Sequence, residues 1–472
     1  MEELLQYVWK HKIFPLSPLE TTEGQAVEVL HPGLHNHDAG PDFFNAKVKI
    51  DGQLWVGNVE IHLRSSDWFR HHHDSDPAYQ NVILHVVAKA DLDVDIYTTK
   101  DLPANKDSQS TDELTASNAQ VRRVPQLVLP IPKEVQERYD ELVRSDRIPR
   151  CRLVVERQPA LTIHSWLTAL HVERLEQKTV QMMARHELCE RSWEHTFFVT
   201  LARNFGFGIN GDAFEAWARS IPLQAVAKHR DSLFQVEAIF FGQAGLLEQA
   251  GVLKKDDKKE IADDYLERLK KEYAYLRQKF SLMPIDGRMF RFARLRPSNS
   301  PYIRMAQLAM LYYQQKLSFA RVLNNESIED FRALLTADSG CSVSPFWTTH
   351  YSFSSQVTET SDKRLSDASK DLLLINTFSP ILFAYGRYKN EETYCERAVS
   401  ILEALKPERN WITRAWAEAG VTCESAADSQ ALIQLTRQYC EPRNCLRCRF
   451  GHEFIRQNPK FLQENKDEKT SF

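Results

Sequence analysis

The stretch that decides the fold reads Asn45-Ala-Lys-Val-Lys-Ile50-Asp-Gly-Gln-Leu-Trp55-Val-Gly-Asn-Val-Glu60-Ile-His-Leu63. Val48 and Ile50 alternate with Lys47 and Lys49, and Val59 and Ile61 alternate with Glu60 and His62. A period of two sends successive side chains to opposite faces, so both runs read as β-strands. Asp51-Gly52 between them suits the left-handed conformations of a two-residue hairpin turn. Further strands are expected over Ala26–Leu30 and Asn81–Lys89, and one more over Leu127–Ile131 between two prolines. Glu2–Lys12 reads as a short helix, with Leu4, Leu5, Val8 and Trp9 at helical spacing. The polar stretch from Lys100 to Gln120 reads as a surface insertion.

Beyond Pro159 the period changes to that of helices. Ile163, Trp166, Leu167 and Leu170 form one apolar stripe, and Tyr265, Leu269, Tyr273, Leu276 and Phe280 form another. Helical segments are also expected around 212–229, 234–249, 302–321, 371–386, 390–405 and 427–439, with Gly206-Phe207-Gly208 as a turn between helices. Lys254–Lys259 is a run of charge that reads as a solvated connector. The fold class is therefore α+β: a mixed, β-rich domain over 1–157, then a mostly helical domain over 158–472 that ends in a cysteine motif.

Bulk composition bounds the function without naming it. The 472 residues are 43% hydrophobic and 26% charged, with a formal net charge of −4. That excludes disordered, collagenous and disulfide-scaffold chains, and it argues against a generally basic nucleic-acid coat protein. The N-terminus lacks the basic and apolar regions of a secretory signal, and no stretch is long and apolar enough to span a bilayer. Scattered cysteines with one cluster read as reduced thiols plus a metal-type site, which points to the cytoplasm.

Two residue types are unevenly distributed. Eight of the 16 histidines fall between His31 and His85, and three of the eight cysteines fall between Cys440 and Cys448. In the first cluster, Glu60 and His62 are two apart on one strand and share a face, while Asp42 stands at the entrance to the preceding strand. Two carboxylates converging at a strand end suit a hard cation, Mg²⁺ or Mn²⁺, and an imidazole beside them completes the shell or moves a proton. Asp42, Glu60 and His62 are thus the catalytic candidates, with Asp42 and Glu60 as metal ligands. His85, in the apolar run Val82–Val87, reads as a core histidine.

In the second cluster, Cys440, Cys445 and Cys448 place three thiolates on one tight loop, a pattern suited to Zn²⁺ or an iron–sulfur cluster. The fourth ligand is open between His452, Cys151 and Cys423, while Cys189, Cys341 and Cys395 read as core thiols. Arg288, Arg291, Arg294, Arg296 and Arg304, interleaved with Phe290, Phe292 and Tyr302 and with no acid among them, form a candidate nucleic-acid contact.

Pro41-Asp42 followed by Glu60-Ile61-His62, carried on a helix-strand-strand-strand order, resembles the PD-(D/E)XK nuclease superfamily. The resemblance implies that the two acids hold a metal which activates water against a phosphodiester. It departs where that superfamily's lysine is expected, because this chain has His62. The thiol trio with Cys151 far upstream is similar to the arrangement in some iron–sulfur nucleases of the same superfamily. Over the whole chain, the blocks Gly40–Phe43, Gly57–His62, Ser66–Trp68, Ile148–Cys151, Leu201–Gly206, Phe241–Gly245, Leu295–Pro297 and Tyr439–Cys448 together resemble an uncharacterised bacterial family, a domain of unknown function. That resemblance implies a bacterial cytosolic protein and favours Cys151 as the fourth ligand.

Three functions follow as expectations. The first is a metal-dependent nuclease-like phosphodiesterase acting on nucleic acid. The second is a non-enzymatic interaction or scaffold protein with a structural cysteine-bound metal. The third is a different hydrolase whose metal site draws on His35, His37, Asp38, His71 or His73.

Overall fold

The Asp51-Gly52 hairpin is the centre from which the N-terminal sheet grows. Asp51 and Gly52 sit at φ of 48° and 80°, the doubly left-handed geometry that a two-residue hairpin requires. They join β2 (Phe43–Ile50) to β3 (Gln53–Arg64), and Ile50 pairs with Gln53 across the turn. In this computed structural model the described residues are all those of 1–472 except 16, 37, 100–118, 250–259, 339–341, 358 and 457–472.

β1 (Ala26–His31) lies antiparallel to β2 on the other side. β3 is long enough to serve two partners, antiparallel to β2 and then parallel to β4 (Val82–Lys89) from Asn58 to Arg64. β5 (Gln126–Val128) continues the sheet parallel to β4, and two short strands at Leu19–Glu20 and Leu34–His35 bring it to seven. Parallel neighbours need a crossover of a dozen or more residues. Between β3 and β4 that crossover contains α2 (Asp67–Arg70) and the turn at His71–His73. α1 (Glu2–Lys10) buries Leu4, Leu5, Val8 and Trp9 and packs on β3. Most of the polar insertion expected over Lys100–Gln120 lies outside the described residues. Ala119–Arg123 pairs antiparallel with Asp95–Thr99.

The chain divides into two compact units. Unit 1 comprises Met1–Arg157 and the chain from Gln438 onward, and unit 2 comprises Gln158–Arg437. The cysteine motif, expected at the end of the helical domain, falls in unit 1 in this division. The segment after Gln438 is held inside unit 1 by specific polar contacts. Arg150 Nε donates to the Cys440 carbonyl (3.1 Å) and Arg138 Nη1 donates to the Ile455 carbonyl (2.7 Å). Tyr7 Oη and His452 Nδ1 lie 2.7 Å apart.

Unit 2 is helical. Its longest helix, α3 (Ala160–Leu188), is followed by α4 (Trp193–Phe205) and the turn through Phe207 and Gly208, both at positive φ. α5 (Pro301–Tyr313) is almost wholly buried. The helix expected over 302–321 breaks at Gln315, which adopts φ of 56°, and resumes at Phe319. The helix expected over 371–386 carries a π-turn at Leu374–Phe378. Trp217, Phe240, Phe241, Trp347 and Phe378 form part of one continuous core. The Lys254–Lys259 run lies outside the described residues. Among the described residues no helix is long and apolar enough to cross a membrane.

Candidate functional site

Asp42 and Glu60 are laced together through the backbone. Asp42 N–H donates to Glu60 Oε2 (3.0 Å), and Ile61 N–H donates to Asp42 Oδ2 (3.0 Å). The turn before Asp42 is fixed by Asn36, whose Nδ2 donates to the carbonyls of Asp38, Ala39 and Pro41, with Gly40 at φ of 103°. Gln6 on α1 donates from Nε2 to Asp42 Oδ1 (2.9 Å). The two carboxylates therefore occupy one pocket of space at the junction of β2, β3 and α1.

The histidines arrive from two other directions. The parallel register pairs Glu60 with His85, which puts His85 of β4 on the face that carries Glu60 and His62. His62 Nδ1 and His85 Nε2 lie 2.9 Å apart. The crossover brings His71 and His73 back over that face. His71 Nδ1 is 3.2 Å from His62 Nε2, and Glu60 Oε1 is 3.5 Å from His62 Nε2 and 3.3 Å from His73 Nε2. Tyr79 stacks on the His73 ring at 3.8 Å, and Trp68 meets it edge-on. One ring nitrogen from each of His62, His71 and His73 lies within 4.8 Å of the others. Among the described residues this is the group whose ligand atoms converge in that way.

Burial sets the charges. Burial, and then the Glu60 carboxylate, push Asp42 up to about 7. Burial pushes Glu60 up to about 8 against the opposing pull of the Asp42 N–H. Burial, reinforced by His73 and His71, pushes His62 down to about 3, and burial lowers His73 and His85 as well. The contacts of Glu60 with His62 and His73 are accordingly not ion pairs at neutral pH. His62 cannot supply the fixed positive charge of the lysine it replaces in the nuclease resemblance. A neutral imidazole is instead the form that ligates a metal.

The site candidates from the sequence are thus placed unevenly. Asp42, Glu60 and His62 are neighbours. His71 and His73 join them, whereas His35 stacks on Phe43 at 4.8 Å, Asp38 is exposed in its turn, and His37 lies outside the described residues. His85, expected as a plain core residue, contacts His62 directly. Its signal was present: one polar residue in an otherwise apolar strand. Gln6 and Glu2 carried no such signal. Glu2, at the start of α1, feels His71 and Asp67 and acts electrostatically on Asp42 and Glu60.

Cys151, Cys440, Cys445 and Cys448 are all buried in unit 1, and none forms a disulfide. Burial, and then the three C-terminal thiols, raise Cys151 well above the ordinary thiol range. Cys440 is raised by burial and then by Cys448 and Cys445. The Gly451 backbone presses so closely on Cys445 that a Cβ there would meet the Cys445 carbonyl at 2.1 Å. His452 has its Nδ1 2.7 Å from Tyr7 Oη and lies tilted against the His11 ring, with centroids 4.2 Å apart. Cys423 belongs to unit 2.

A model of a family described as a protein of unknown function, DUF2851, matches residues 2–411. The chain belongs to this family. No curated protein and no solved structure matches it. The part that matches the DUF2851 model holds Asp42, Glu60, all four clustered histidines and Cys151, while the thiol trio lies beyond it.

The arginine segment of this DUF2851 chain is absorbed by structure at one position. Arg288 is clamped on Asp286, with Nη2 2.6 Å from Oδ2. Arg304 is buried over the Phe207 ring at 4.2 Å. Arg304 is therefore corrected as a nucleic-acid contact, since its guanidinium is buried, whereas Arg288 stays at the surface paired with Asp286. Arg291, Arg294 and Arg296 remain exposed.

Proposed function

We propose that unit 1 carries a metal-dependent hydrolytic centre, with a nuclease-like phosphodiesterase as the activity. The observation that supports it is the convergence of His62, His71 and His73 beside Glu60, with Glu60 and His62 buried, His73 half-buried and His71 exposed to solvent. Three protein ligands and an open position are the usual plan of a catalytic site for a transition metal, which would supply an activated water. His85 holds His62 in register. With His62 Nδ1–H donating to His85 Nε2, the lone pair on His62 Nε2 points at the site. A cation bound there would draw the raised pKa of Glu60 down, so that its carboxylate could take the proton from water, and Asp42, tied to Ile61 and Gln6, orients Glu60 or completes the shell. The ligand set favours Mn²⁺ or Zn²⁺ over the expected Mg²⁺, because imidazole is a poor partner for Mg²⁺. The phosphodiester substrate rests on the Asp42…Glu60-Ile61-His62 resemblance, and Arg288, Arg291, Arg294 and Arg296 are the remaining surface cations for a nucleic-acid backbone.

The test is metal analysis of the purified protein, followed by cleavage of single- and double-stranded DNA and RNA with Mn²⁺, Zn²⁺ or Mg²⁺. Loss of cleavage in Glu60→Gln supports the reading. Equal cleavage by wild type and variant, or none on any substrate with any metal, overturns it.

The scaffold alternative keeps one specific observation in its favour, the four buried thiols. We infer that Cys151, Cys440, Cys445 and Cys448 hold an iron–sulfur cluster that fastens the C-terminal segment to unit 1; the expected alternative, a single zinc, fits less well because the thiols do not converge as the three histidines do. The free thiols favour a reducing compartment, with the cytoplasm as the proposed location. Metal and sulfide content should drop in Cys151→Ser and Cys445→Ser but not in Cys423→Ser. Unchanged content in the first two would remove this centre.

A further inference from the structure

Unit 2 buries an arginine without an acid. Arg304, near the start of α5, exposes 6% of its surface. Its Nη2 donates to Asn299 Oδ1 (2.6 Å) and its Nη1 to Gln307 Oε1 (2.9 Å), both neutral amides. Its Nε has no hydrogen-bond partner, and it forms no ion pair among the described residues. A guanidinium carries five N–H donors, so these two bonds leave most of its capacity unused. A buried charge that lacks a counter-ion costs several kcal/mol, and two amides and an aromatic face offset only part of that. Burial lowers Arg304 to about 10, which leaves it charged at neutral pH.

Arg304 lines a cavity of about 520 Å³ with Asn204, Phe207, Asn299, Ser369 and Asn376. That volume falls in the range of small-molecule sites. No acidic side chain lines it. Behind its wall Lys178 Nζ donates to Asn376 Oδ1 (3.2 Å) and Gln430 Oε1 (2.9 Å); burial lowers its amine to about 7 against the opposing pull of Glu408. Two of the blocks picked out in the sequence supply or adjoin the walls. Asn204 lies in Leu201–Gly206, and Asn299 follows Leu295–Pro297.

We propose that this cavity binds the phosphate or carboxylate group of a small anionic ligand, with Arg304 as its counter-charge. The planar fork of arginine suits either group, and paired charge-assisted hydrogen bonds give such contacts their strength. The proposal concerns unit 2 and does not depend on the metal centre of unit 1.

Thermal unfolding of the full-length, metal-free protein tests it, with inorganic phosphate, citrate or sodium chloride at matched ionic strength. Wild type should show a saturable rise in Tm with phosphate or citrate that chloride does not reproduce. A response to phosphate alone identifies a phosphate ligand, and a response to citrate alone a carboxylate ligand. Arg304→Met should lose the response without a lower Tm in anion-free buffer. Asn299→Asp keeps the arginine and gives it an internal carboxylate. It should melt higher without anion and bind the anion at least tenfold more weakly. No saturable response in wild type, or an Asn299→Asp response equal to wild type, overturns the proposal. So does a response in Arg304→Met equal to wild type. If Arg304→Met fails to fold, Asn299→Asp alone decides.

Discussion

Glu60 in unit 1 is buried and Glu215 in unit 2 is half-buried, and the surroundings of these two residues of one type have opposite logic. Glu215 takes Arg185 Nε on one oxygen (3.0 Å) and both Arg185 Nη2 (3.1 Å) and Arg203 Nη1 (2.7 Å) on the other. Burial pushes its pKa up, but the two arginines outweigh that and the net shift is downward. Glu60 has a backbone N–H and uncharged imidazoles around it, and its pKa rises to about 8. A carboxylate clamped by guanidinium groups stabilises the fold. A buried carboxylate faced only by neutral donors and metal-type ligands is costly unless a cation completes it, which is the signature of a site.

Substitutions can break this contrast. The largest expected effect is that of Glu60→Gln, which should lower hydrolysis by roughly 10²–10⁴-fold, the usual worth of a general base. Its melting temperature in metal-free buffer should be equal to or above that of wild type. A matched loss of stability and activity would place Glu60 in the same class as Glu215. Next, His85→Phe keeps the ring volume but removes the partner of His62 Nδ1. Metal affinity measured by competition with a chelator should weaken about 10–100-fold, as for other residues that orient a ligand. A change in Tm with unchanged affinity would reduce His85 to a packing residue.

Glu215→Gln should do the reverse of Glu60→Gln. Loss of a partly buried pair with two arginines is expected to cost about 2 kcal/mol in denaturant unfolding, with hydrolysis within about twofold of wild type. The smallest effect is in the pH dependence of the metal-free protein. Asp42 and Glu60 hold protons in the folded state up to about pH 7 and 8, while the unfolded chain has released them by about pH 5. Their share of stability is complete below the unfolded pKa values and is lost as pH rises through the folded ones. His62 has the opposite sign: its share is complete above about pH 6.5 and is lost as pH falls toward about 3. Between pH 6.5 and 8.5 the carboxyls dominate, so Tm should fall with rising pH in that window, and Glu60→Gln should flatten the slope. A Tm that rises over the same window would contradict the placement of both acids.

The sequence carried its information where local rules apply. Alternation from Val48 to His62 and the Asp51-Gly52 turn sufficed for the hairpin. The two-residue spacing put Glu60 and His62 on one face, and the cysteine spacing marked a thiol loop. Each of these depends on residues within about twenty positions of one another, where pleat and turn geometry are fixed by the chain itself. Other parts depended on pairings at long range. The parallel register of β3 with β4 turned His85 toward Glu60, and the crossover delivered His71 and His73, which the sequence offered for a separate metal site, to the face that carries Glu60 and His62. The seating of the C-terminal segment in unit 1 brought Cys151 into the company of Cys440, Cys445 and Cys448. The packing of α5 buried Arg304, which the arginine–aromatic pattern had placed among the candidate nucleic-acid contacts. Spacing along the chain determined which chemistry was available to this protein. Only the tertiary fold decided which groups lost their water and met, because desolvation and convergence are properties of the packed chain and not of any one segment.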